Sequence, residues 1–286
     1  MHDFELHAPD SIHEAVEILA EHGGSTRVLA GGTALTTMVK QSLVRPDHIV
    51  SLHRVPGWSH VARLGPEINI GMLATHRAIE TSPLIREHAP LLADTYAQVA
   101  TVRIRSMATV GGGIAHGDPA QDPLPTLLAL NARVRLLSAT GERQVPVGDL
   151  FRDFFDTDIG PDELLIEVQV PAQPHDLEGV YLKFLPRSED DYATVGVAAL
   201  ARVERGRFQE ARVALGAVGP VPLRATAVEQ ALQGRKADAA TVRKAAELVG
   251  DLVDPVDDAR GSADYKRDMA VVFTRRALEQ VAGIPR

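Results

Sequence analysis

Two runs of consecutive glycines interrupt the first half of the chain and constrain its fold more than any other feature. Gly31 and Gly32 end an apolar run that is typical of a strand, and residues 111–113 are three further glycines. Glycine permits positive φ and lets another group approach the backbone closely. Successive N–H groups in such a turn form an anion-binding nest, and a helix N-terminus beside it adds partial positive charge. We expect each run to follow a strand, and the pair favours a phosphate or pyrophosphate ligand.

Neither glycine run matches a short nucleotide-binding motif by itself. The first lacks the glycine spacing of the dinucleotide fingerprint, and neither continues into the Gly-Lys-Ser/Thr of a P-loop. A single Gly-Gly turn is more often a tight connection between two elements. Two such turns in one domain strengthen the interpretation as a bipartite phosphate cradle, while the tight-connection alternative stays open.

The first lobe, residues 1–55, is predicted to be a small α/β unit. Asp10 or Ser11 caps its first helix, and Glu14 stands where a capping box requires it. Thr33 is predicted to cap a second helix that ends near Lys40. The predicted strands of this lobe are residues 27–30 and 48–52.

The second lobe, residues 56–175, is predicted to combine helices with a hairpin. Residues 84–99 show one long helical pattern, and Thr140 with Gly141 marks the turn of the hairpin. Asp122 precedes a proline, and from the residues alone it is best interpreted as a helix cap. The other predicted elements of this lobe are strands at residues 68–70 and 164–170 and helices at residues 75–82 and 123–130.

The chain changes character after residues 171–176, where two prolines stand within four residues. We therefore predict two domains, residues 1–175 and 176–286. In the second, strands come first and helices follow, which is an α+β layout. The predicted antiparallel strands are residues 179–185, 194–203 and 208–218, and the predicted helices are residues 225–232, 239–249 and 263–281.

The 286 residues include no cysteine. Disulfides, Cys-ligated zinc, iron–sulfur clusters and a catalytic thiol are therefore excluded on this chain. The 11 histidines are scattered and show no metal-ligand spacing, so no metal site is predicted. Any redox chemistry would need a bound organic cofactor or a metal held by nitrogen and oxygen ligands.

The net charge and the length of the apolar runs limit where the protein can be located and which partners it can bind. The formal net charge of −8 gives no electrostatic footprint for nucleic acid. The N-terminus lacks the basic and apolar regions of a signal peptide, and no apolar run approaches the ~20 residues that span a bilayer. We therefore expect a cytoplasmic protein without a transmembrane segment.

Several motifs in register resemble the FAD-binding medium subunit of the molybdenum hydroxylases, the family of the carbon monoxide and xanthine dehydrogenases. The resemblance covers essentially the whole chain in order. The motifs that carry it are residues 30–35 (AGGTAL), 104–115 (IRSMATVGGGIA), 118–122 (DPAQD), 162–165 (DELL), 181–184 (YLKF), 190–195 (DDYATV), 255–258 (PVDD), 261–265 (GSADY) and 275–278 (RRAL).

The resemblance implies an α+β fold and a site. The fold is a two-lobed FAD-binding domain of the vanillyl-alcohol-oxidase-like (PCMH) type, followed by a C-terminal domain with a three-stranded antiparallel sheet and a helical bundle. Backbone N–H groups and Thr hydroxyls of both glycine runs would hold the FAD pyrophosphate, and Asp122 becomes a cofactor ligand. The implied cofactor-binding residues are Leu29, Ala30, Gly31, Gly32, Thr33, Ala34, Leu35, Thr109, Val110, Gly111, Gly112, Gly113, Asp122, Leu165 and Lys183.

The resemblance also implies a role as an electron-transfer subunit, with no catalytic residue on this chain. A large molybdopterin subunit would oxidise the substrate, and a small subunit with [2Fe–2S] clusters would pass electrons to FAD, which hands them to an external acceptor. A dimer of heterotrimers is the implied assembly. The alternatives are a stand-alone FAD-dependent oxidoreductase and a non-catalytic nucleotide-binding or assembly module.

Three side chains have two interpretations each. Lys183 could stabilise negative charge on reduced flavin or form a surface salt bridge. Tyr192 could cover a face of the flavin ring or be a core strand residue. His116 could contact the FAD phosphate or be a solvent-exposed loop histidine.

Overall fold

Three parallel strands form the centre of the first lobe. In this computed structural model, which describes residues 2–186, 188 and 191–285, the strand order of that sheet is β1-β3-β2. Asp190, part of one of the resembling motifs, lies outside the described residues. The elements of the lobe are β1 (Glu5–His7), α1 (Ile12–His22), β2 (Thr26–Leu29), α2 (Leu35–Lys40) and β3 (His48–Ser51).

The two helix starts predicted for this lobe have different outcomes. Ser11 Oγ accepts the Glu14 N–H, which confirms Ser11 as the cap of α1, while the Glu14 carboxylate accepts the N–H of Asp10, one residue before the position that a capping box requires. The prediction that Thr33 caps α2 is wrong. Ala34 occupies the N-cap position, and no side chain caps the helix.

Five antiparallel strands, in the order β4-β5-β10-β6-β7, form the sheet of the second lobe, and β8 pairs with β9 in a separate ribbon. The elements of this lobe are β4 (Val61–Leu64), β5 (Glu67–Gly71), α3 (His76–Thr81), α4 (Pro83–His88), α5 (Pro90–Ala97), α6 (Val102–Arg105), α7 (Val110–His116), α8 (Pro123–Ala129), β6 (Arg133–Ser138), β7 (Gly141–Pro146), β8 (Phe151–Asp153), β9 (Asp156–Thr157) and β10 (Leu164–Pro171).

Two predictions for the second lobe are wrong. The helix expected over residues 84–99 is divided into α4 and α5, because Pro90 lacks an N–H and disfavours the helical conformation of Ala89 before it. The second glycine run does not follow a strand. It lies inside the short helix α7, whose N-cap Thr109 accepts the Gly112 N–H.

Four antiparallel strands in chain order form the third sheet. The sequence predicted three, because the fourth strand has only two residues and pairs with Ala214 and Leu215 alone. The elements of this region are β11 (Glu178–Phe184), β12 (Val195–Glu204), β13 (Arg207–Gly216), β14 (Leu223–Arg224), α9 (Thr226–Leu232), α10 (Ala239–Glu247) and α11 (Ala263–Val281).

The third sheet buries both of its faces. Ala198 and Leu200 of β12 belong to the core shared with the N-terminal lobes, against which α8 packs. Val197 and Ala199 belong to a second core under α11. This alternation follows from the two-residue period of a strand. The sheet therefore fixes the C-terminal region against the lobes that form the site.

Candidate functional site

A cavity of about 810 Å³ lies between the lobes and brings both glycine runs to its wall. Its volume falls within the range of small-molecule sites. Of the fifteen site residues implied by the resemblance, Leu29, Val110 and Lys183 do not line it. The lining members are Ala30, Gly31, Gly32, Thr33, Ala34, Leu35, Thr109, Gly111, Gly112, Gly113, Asp122 and Leu165.

The first glycine run packs closely at Gly31 against the segment that precedes the second run. A Cβ at this position would lie 2.0 Å from the carbonyl oxygen of Met107 and 2.9 Å from its carbonyl carbon. Only glycine fits such a contact with rigid backbone. A Cβ at Gly112 would lie 3.6 Å from Ala30 Cβ. Two segments far apart in the sequence therefore form adjoining parts of one wall.

The first glycine run presents a row of backbone donors that have no partner among the residues the structure describes. Gly32 has φ +70, so the loop turns out of the strand direction before α2 begins. Within the described residues, no hydrogen bond uses the N–H groups of residues 31–35. Consecutive N–H groups in such a turn form a nest that suits an anion. This segment, which we call the donor loop (residues 31–35), has the chemistry that a phosphate requires.

The second glycine run contributes shape more than free donors. The N–H groups of Val110 and Gly111 donate to Ala74 O and Met72 O, and those of Gly112 and Gly113 donate to Thr109. These are the groups that the resemblance assigned to the pyrophosphate, and all four have partners within the chain. A Cβ at Gly111 would lie 2.7 Å from Met72 Cβ, so the run is also closely packed.

A buried ion pair joins α3 to α6 in the second lobe. Arg105 Nε lies 2.8 Å from Glu80 Oε2, and Arg105 Nη1 donates to the carbonyls of Val99 and Ala100. Burial by itself would raise the pKa of Glu80, but hydrogen bonds from Arg77 and Arg105 outweigh it and hold that pKa below its usual value. Arg105 therefore has an acidic partner within the chain.

His76 is a cavity residue whose role the sequence did not indicate. It begins α3, and its Nε2 lies 3.2 Å from Thr109 O. Burial lowers the pKa of His76 to about 4, against the weaker opposing effect of this backbone hydrogen bond. The imidazole is therefore neutral at pH 7, with the proton on Nε2. The sequence gives no signal for this role, because the contact joins His76 to Thr109, which lies 33 residues away in the chain.

Asp122 joins the cavity wall to the C-terminal sheet. It occupies the N-cap position of α8, but its carboxylate makes no capping bond, so that prediction is wrong. Asp122 instead accepts from Tyr181 OH at 2.7 Å and from Lys183 Nζ at 2.9 Å. Burial raises the pKa of Asp122, and the lysine charge opposes that shift. Lys183 forms a buried pair rather than the surface salt bridge of the alternative interpretation.

Tyr192 and His116 both line the cavity. Tyr192 is 45% exposed, so its interpretation as a core strand residue is wrong. The Arg260 guanidinium lies 5.7 Å from the centre of the tyrosine ring. His116 is the half-buried last residue of α7, and burial lowers its pKa despite nearby Asp118. Neither side chain is packed into a hydrophobic core, so both can contact a ligand in the cavity.

The fold and the site define a two-lobed protein whose cavity suits a large phosphate-bearing ligand. Comparison with known families identifies the ligand class. The family described as "FAD binding domain in molybdopterin dehydrogenase" matches residues 2–173, and the family described as "CO dehydrogenase flavoprotein C-terminal domain" matches residues 180–281. The chain belongs to this family of FAD-binding oxidoreductase subunits.

Relatives match along nearly the whole chain. The carbon monoxide dehydrogenase medium chain of Hydrogenophaga pseudoflava is 33% identical over 275 residues, which is 96% of each chain. The 6-hydroxypseudooxynicotine dehydrogenase complex subunit alpha of Paenarthrobacter nicotinovorans is 32% identical over 96% of this chain and 93% of its own. The chain is thus similar to subunits of multi-subunit dehydrogenases.

Solved structures share the fold. A carbon monoxide dehydrogenase from Hydrogenophaga pseudoflava that lacks the Mo-pyranopterin moiety matches with a TM-score of 0.95 and 35% identity, over 98% of this chain and 97% of that one. Quinoline 2-oxidoreductase from Pseudomonas putida 86 matches with a TM-score of 0.93 and 30% identity, over 98% and 97%. The expected α+β fold, with a two-lobed FAD-binding domain and a C-terminal domain, is confirmed.

Among the described residues, no helix combines the length and the apolar character needed to cross a membrane.

Proposed function

We propose that the chain holds FAD in the cavity between its lobes and transfers electrons within a molybdenum hydroxylase. Electrons would arrive from a [2Fe–2S] subunit and leave to an external acceptor. The observation that carries the proposal is the donor loop, whose free N–H groups border a cavity closed by the second glycine run. FAD, when bound, supplies the electron chemistry, while the protein supplies binding, orientation and electrostatics.

Each part of the wall has its own task in this proposal. The N–H groups of the donor loop bind the pyrophosphate, and the absence of a Cβ at Gly31 lets the first glycine run pack against the segment that precedes the second. The Thr109 hydroxyl, which accepts from Gly112, keeps its own proton for a phosphate oxygen. Leu165 and Tyr192 exclude water from the cavity. Leu29, Val110 and Lys183 act from behind the wall by holding these groups in place.

The proposal includes the partners and the division of the chain. A large molybdopterin subunit and a small [2Fe–2S] subunit complete the assembly, as a dimer of heterotrimers in the cytoplasm. The absence of cysteine supports it, because the clusters must then be held by other chains. A domain boundary near residue 175 is supported by the two family matches, which end at residue 173 and begin at residue 180.

Purification of the chain from its native source tests the proposal. We expect a flavin absorbance spectrum, copurification with a molybdenum subunit and an iron–sulfur subunit, and a sedimentation mass of two heterotrimers in the cytoplasmic fraction. No flavin absorbance, even after addition of FAD, would leave the nucleotide-binding or assembly module. A flavin-containing chain that oxidises a small substrate without partners would instead establish the stand-alone oxidoreductase.

A further inference from the structure

Three histidines that are far apart in the sequence meet at one end of the first sheet. His7 ends β1, His22 ends α1 and His48 begins β3. His7 Nε2 lies 3.1 Å from His48 Nδ1, and the ring centres of His22 and His48 lie 3.9 Å apart. One ring nitrogen from each residue lies within 4.8 Å of the others. We call these three residues the histidine cluster.

The histidine cluster is separate from the cofactor cavity. None of its three residues lines that cavity. The strands β2 and β3 are parallel, and the donor loop follows the carboxyl end of β2. His48 stands at the opposite, amino end of β3. All three side chains are half-buried, so an ion can reach them from solvent.

We propose that the histidine cluster binds one divalent transition-metal ion of the Zn²⁺ type. Neutral imidazole nitrogen is a preferred ligand of Zn²⁺, with Zn–N distances of about 2.0–2.1 Å. Two nitrogens of a tetrahedral site are then about 3.3 Å apart. The 3.1 Å between His7 Nε2 and His48 Nδ1 is close to that value. The metal would replace the proton that these two nitrogens now share.

Among the described residues, the three histidines alone form the group of mutually close ligand atoms, and the exposed Glu5 carboxylate is near enough to His48 to turn into the fourth position of the proposed site. Glu5 Oε2 lies 3.6 Å from His48 Nδ1, and Glu5 is the register partner of His48 across the two strands. Three imidazoles and one carboxylate complete a tetrahedral set. His22 is stacked on His48 at an interplanar angle of 16°, so its ring must turn about its side-chain bonds to direct a nitrogen at the ion. The half-buried position leaves room for that rotation.

The ligands come from three elements, so the metal would tie the lobe together. The strand β1 has three residues and pairs only with β3 within the described chain. A metal bound by both strands and by α1 stabilises the folded lobe, because the unfolded chain has no preformed site. The proposed role is therefore structural, and it is independent of whether FAD is bound.

Titration of the metal-free full chain, purified with its flavin and without a histidine tag, tests the proposal. We expect one Zn²⁺ per chain by calorimetry, and with Co²⁺ the intense visible absorption of a tetrahedral complex. His22→Ala is expected to weaken Zn²⁺ binding at least about tenfold, given that even outer partners of metal ligands change affinity by 10–100-fold. Glu5→Gln is expected to weaken it less. The flavin spectrum should not change on metal addition.

His13→Ala is the matched control, because His13 is exposed on the same helix and outside the cluster. It should bind Zn²⁺ as the unmodified chain does. The unmodified chain should also melt at a higher temperature with Zn²⁺ than without it, and His22→Ala should lose that shift. Absence of stoichiometric binding to the unmodified chain, or equal weakening by His13→Ala and His22→Ala, overturns the proposal. Should His22→Ala fail to fold, the stoichiometry and Co²⁺ spectrum of the unmodified chain still decide.

Discussion

Lys183 and Asp122 form an ion pair with a 2.9 Å distance between Nζ and Oδ2, and their side chains are only 3% and 5% exposed. Asp122 precedes α8 in the N-terminal lobes, whereas Lys183 lies on β11 of the C-terminal sheet. Removing one partner of such a pair leaves an uncompensated buried charge. The contact therefore links the wall of the cofactor cavity to the stability of the whole chain.

Lys183→Met is expected to lower the free energy of unfolding by about 3–5 kcal/mol, the usual effect of breaking a buried pair. Lys236→Met is the matched control, because Lys236 pairs with Asp238 at 3.4 Å while its side chain is 75% exposed. That surface pair should contribute little to stability, because solvent screens it. Urea unfolding monitored by circular dichroism measures both. Equal losses in the two variants would contradict the assignment.

The double variant Asp122→Asn/Lys183→Met separates the two tasks of the lysine. It removes both charges, so we expect it to recover part of the stability lost in Lys183→Met. If Lys183 also stabilises negative charge on reduced flavin, Lys183→Met lowers the flavin reduction potential at full FAD content. A potential equal to that of the unmodified protein, at equal FAD content, would remove that role and leave the structural one.

Gly31→Ala is expected to weaken FAD binding about tenfold to a hundredfold, because relieving an overlap of this kind costs roughly 1–3 kcal/mol. The new Cβ would lie 2.0 Å from Met107 O, so the first glycine run and the segment that precedes the second must separate. Gly148→Ala is the control, since a Cβ there meets no atom within 4 Å. Flavin absorbance per chain and FAD titration of the stripped proteins measure the effect. Full FAD affinity in Gly31→Ala would show that FAD binding does not need this contact.

His76 is expected to make the protein less stable as the pH falls from 6.5 towards 4. Its pKa is lowered from 6.5 to about 4 in the folded state, so between these values the unfolded chain binds a proton that the folded one does not. Between pH 7 and 4.5 this difference amounts to roughly 2 kcal/mol. His76→Gln should show a correspondingly weaker pH dependence in urea unfolding. An identical pH dependence in both proteins would mean that the pKa of His76 is the same in the folded and the unfolded chain.

Glu80→Gln is expected to cost about 3 kcal/mol of stability at pH 7, because it leaves the buried Arg105 without its carboxylate. The pKa of Glu80 is held below its ordinary value of 4.5, so its stabilising effect is fully present above that pH. The effect is lost as the pH falls through the lower, folded-state pKa. The unmodified protein and the variant should therefore converge in urea unfolding once the pH falls below the folded-state pKa of Glu80. Glu17→Gln, exposed on α1, should match the unmodified protein throughout.

The sequence predicted the elements that are encoded by neighbouring residues, such as helix caps and periodic apolar patterns. The cap of α1 is formed by Ser11 and the Glu14 N–H within one turn of the helix, and the structure contains it. The helix predicted at residues 263–281 agrees with α11 at both ends. By contrast, α5 begins at Pro90, and β14 is only two residues long, so neither leaves a strong periodic pattern.

In the site, too, the features encoded by neighbouring residues were predicted, and the contacts between distant residues were not. The sequence identified both glycine runs, because consecutive glycines are recognisable without any knowledge of the fold. That Gly31 touches Met107, that His76 touches Thr109 and that Asp122 pairs with Lys183 depends on chain segments brought together only by folding. The side chain of Asp122 was misassigned as a cap for this reason, because its tertiary contacts with Tyr181 and Lys183 overrode the local preference.

The strand β12 has one consequence for how such a chain can change over time. Because alternate residues of this strand belong to two different cores, inserting or deleting a single residue would turn Val197 and Ala198 towards each other's core. Side chains of the wrong size and shape would then enter both cores. Substitutions can be absorbed one face at a time, but changes of length are confined to the turns at either end of the strand. An insertion or deletion within β12 therefore disturbs two cores, whereas a substitution there disturbs one.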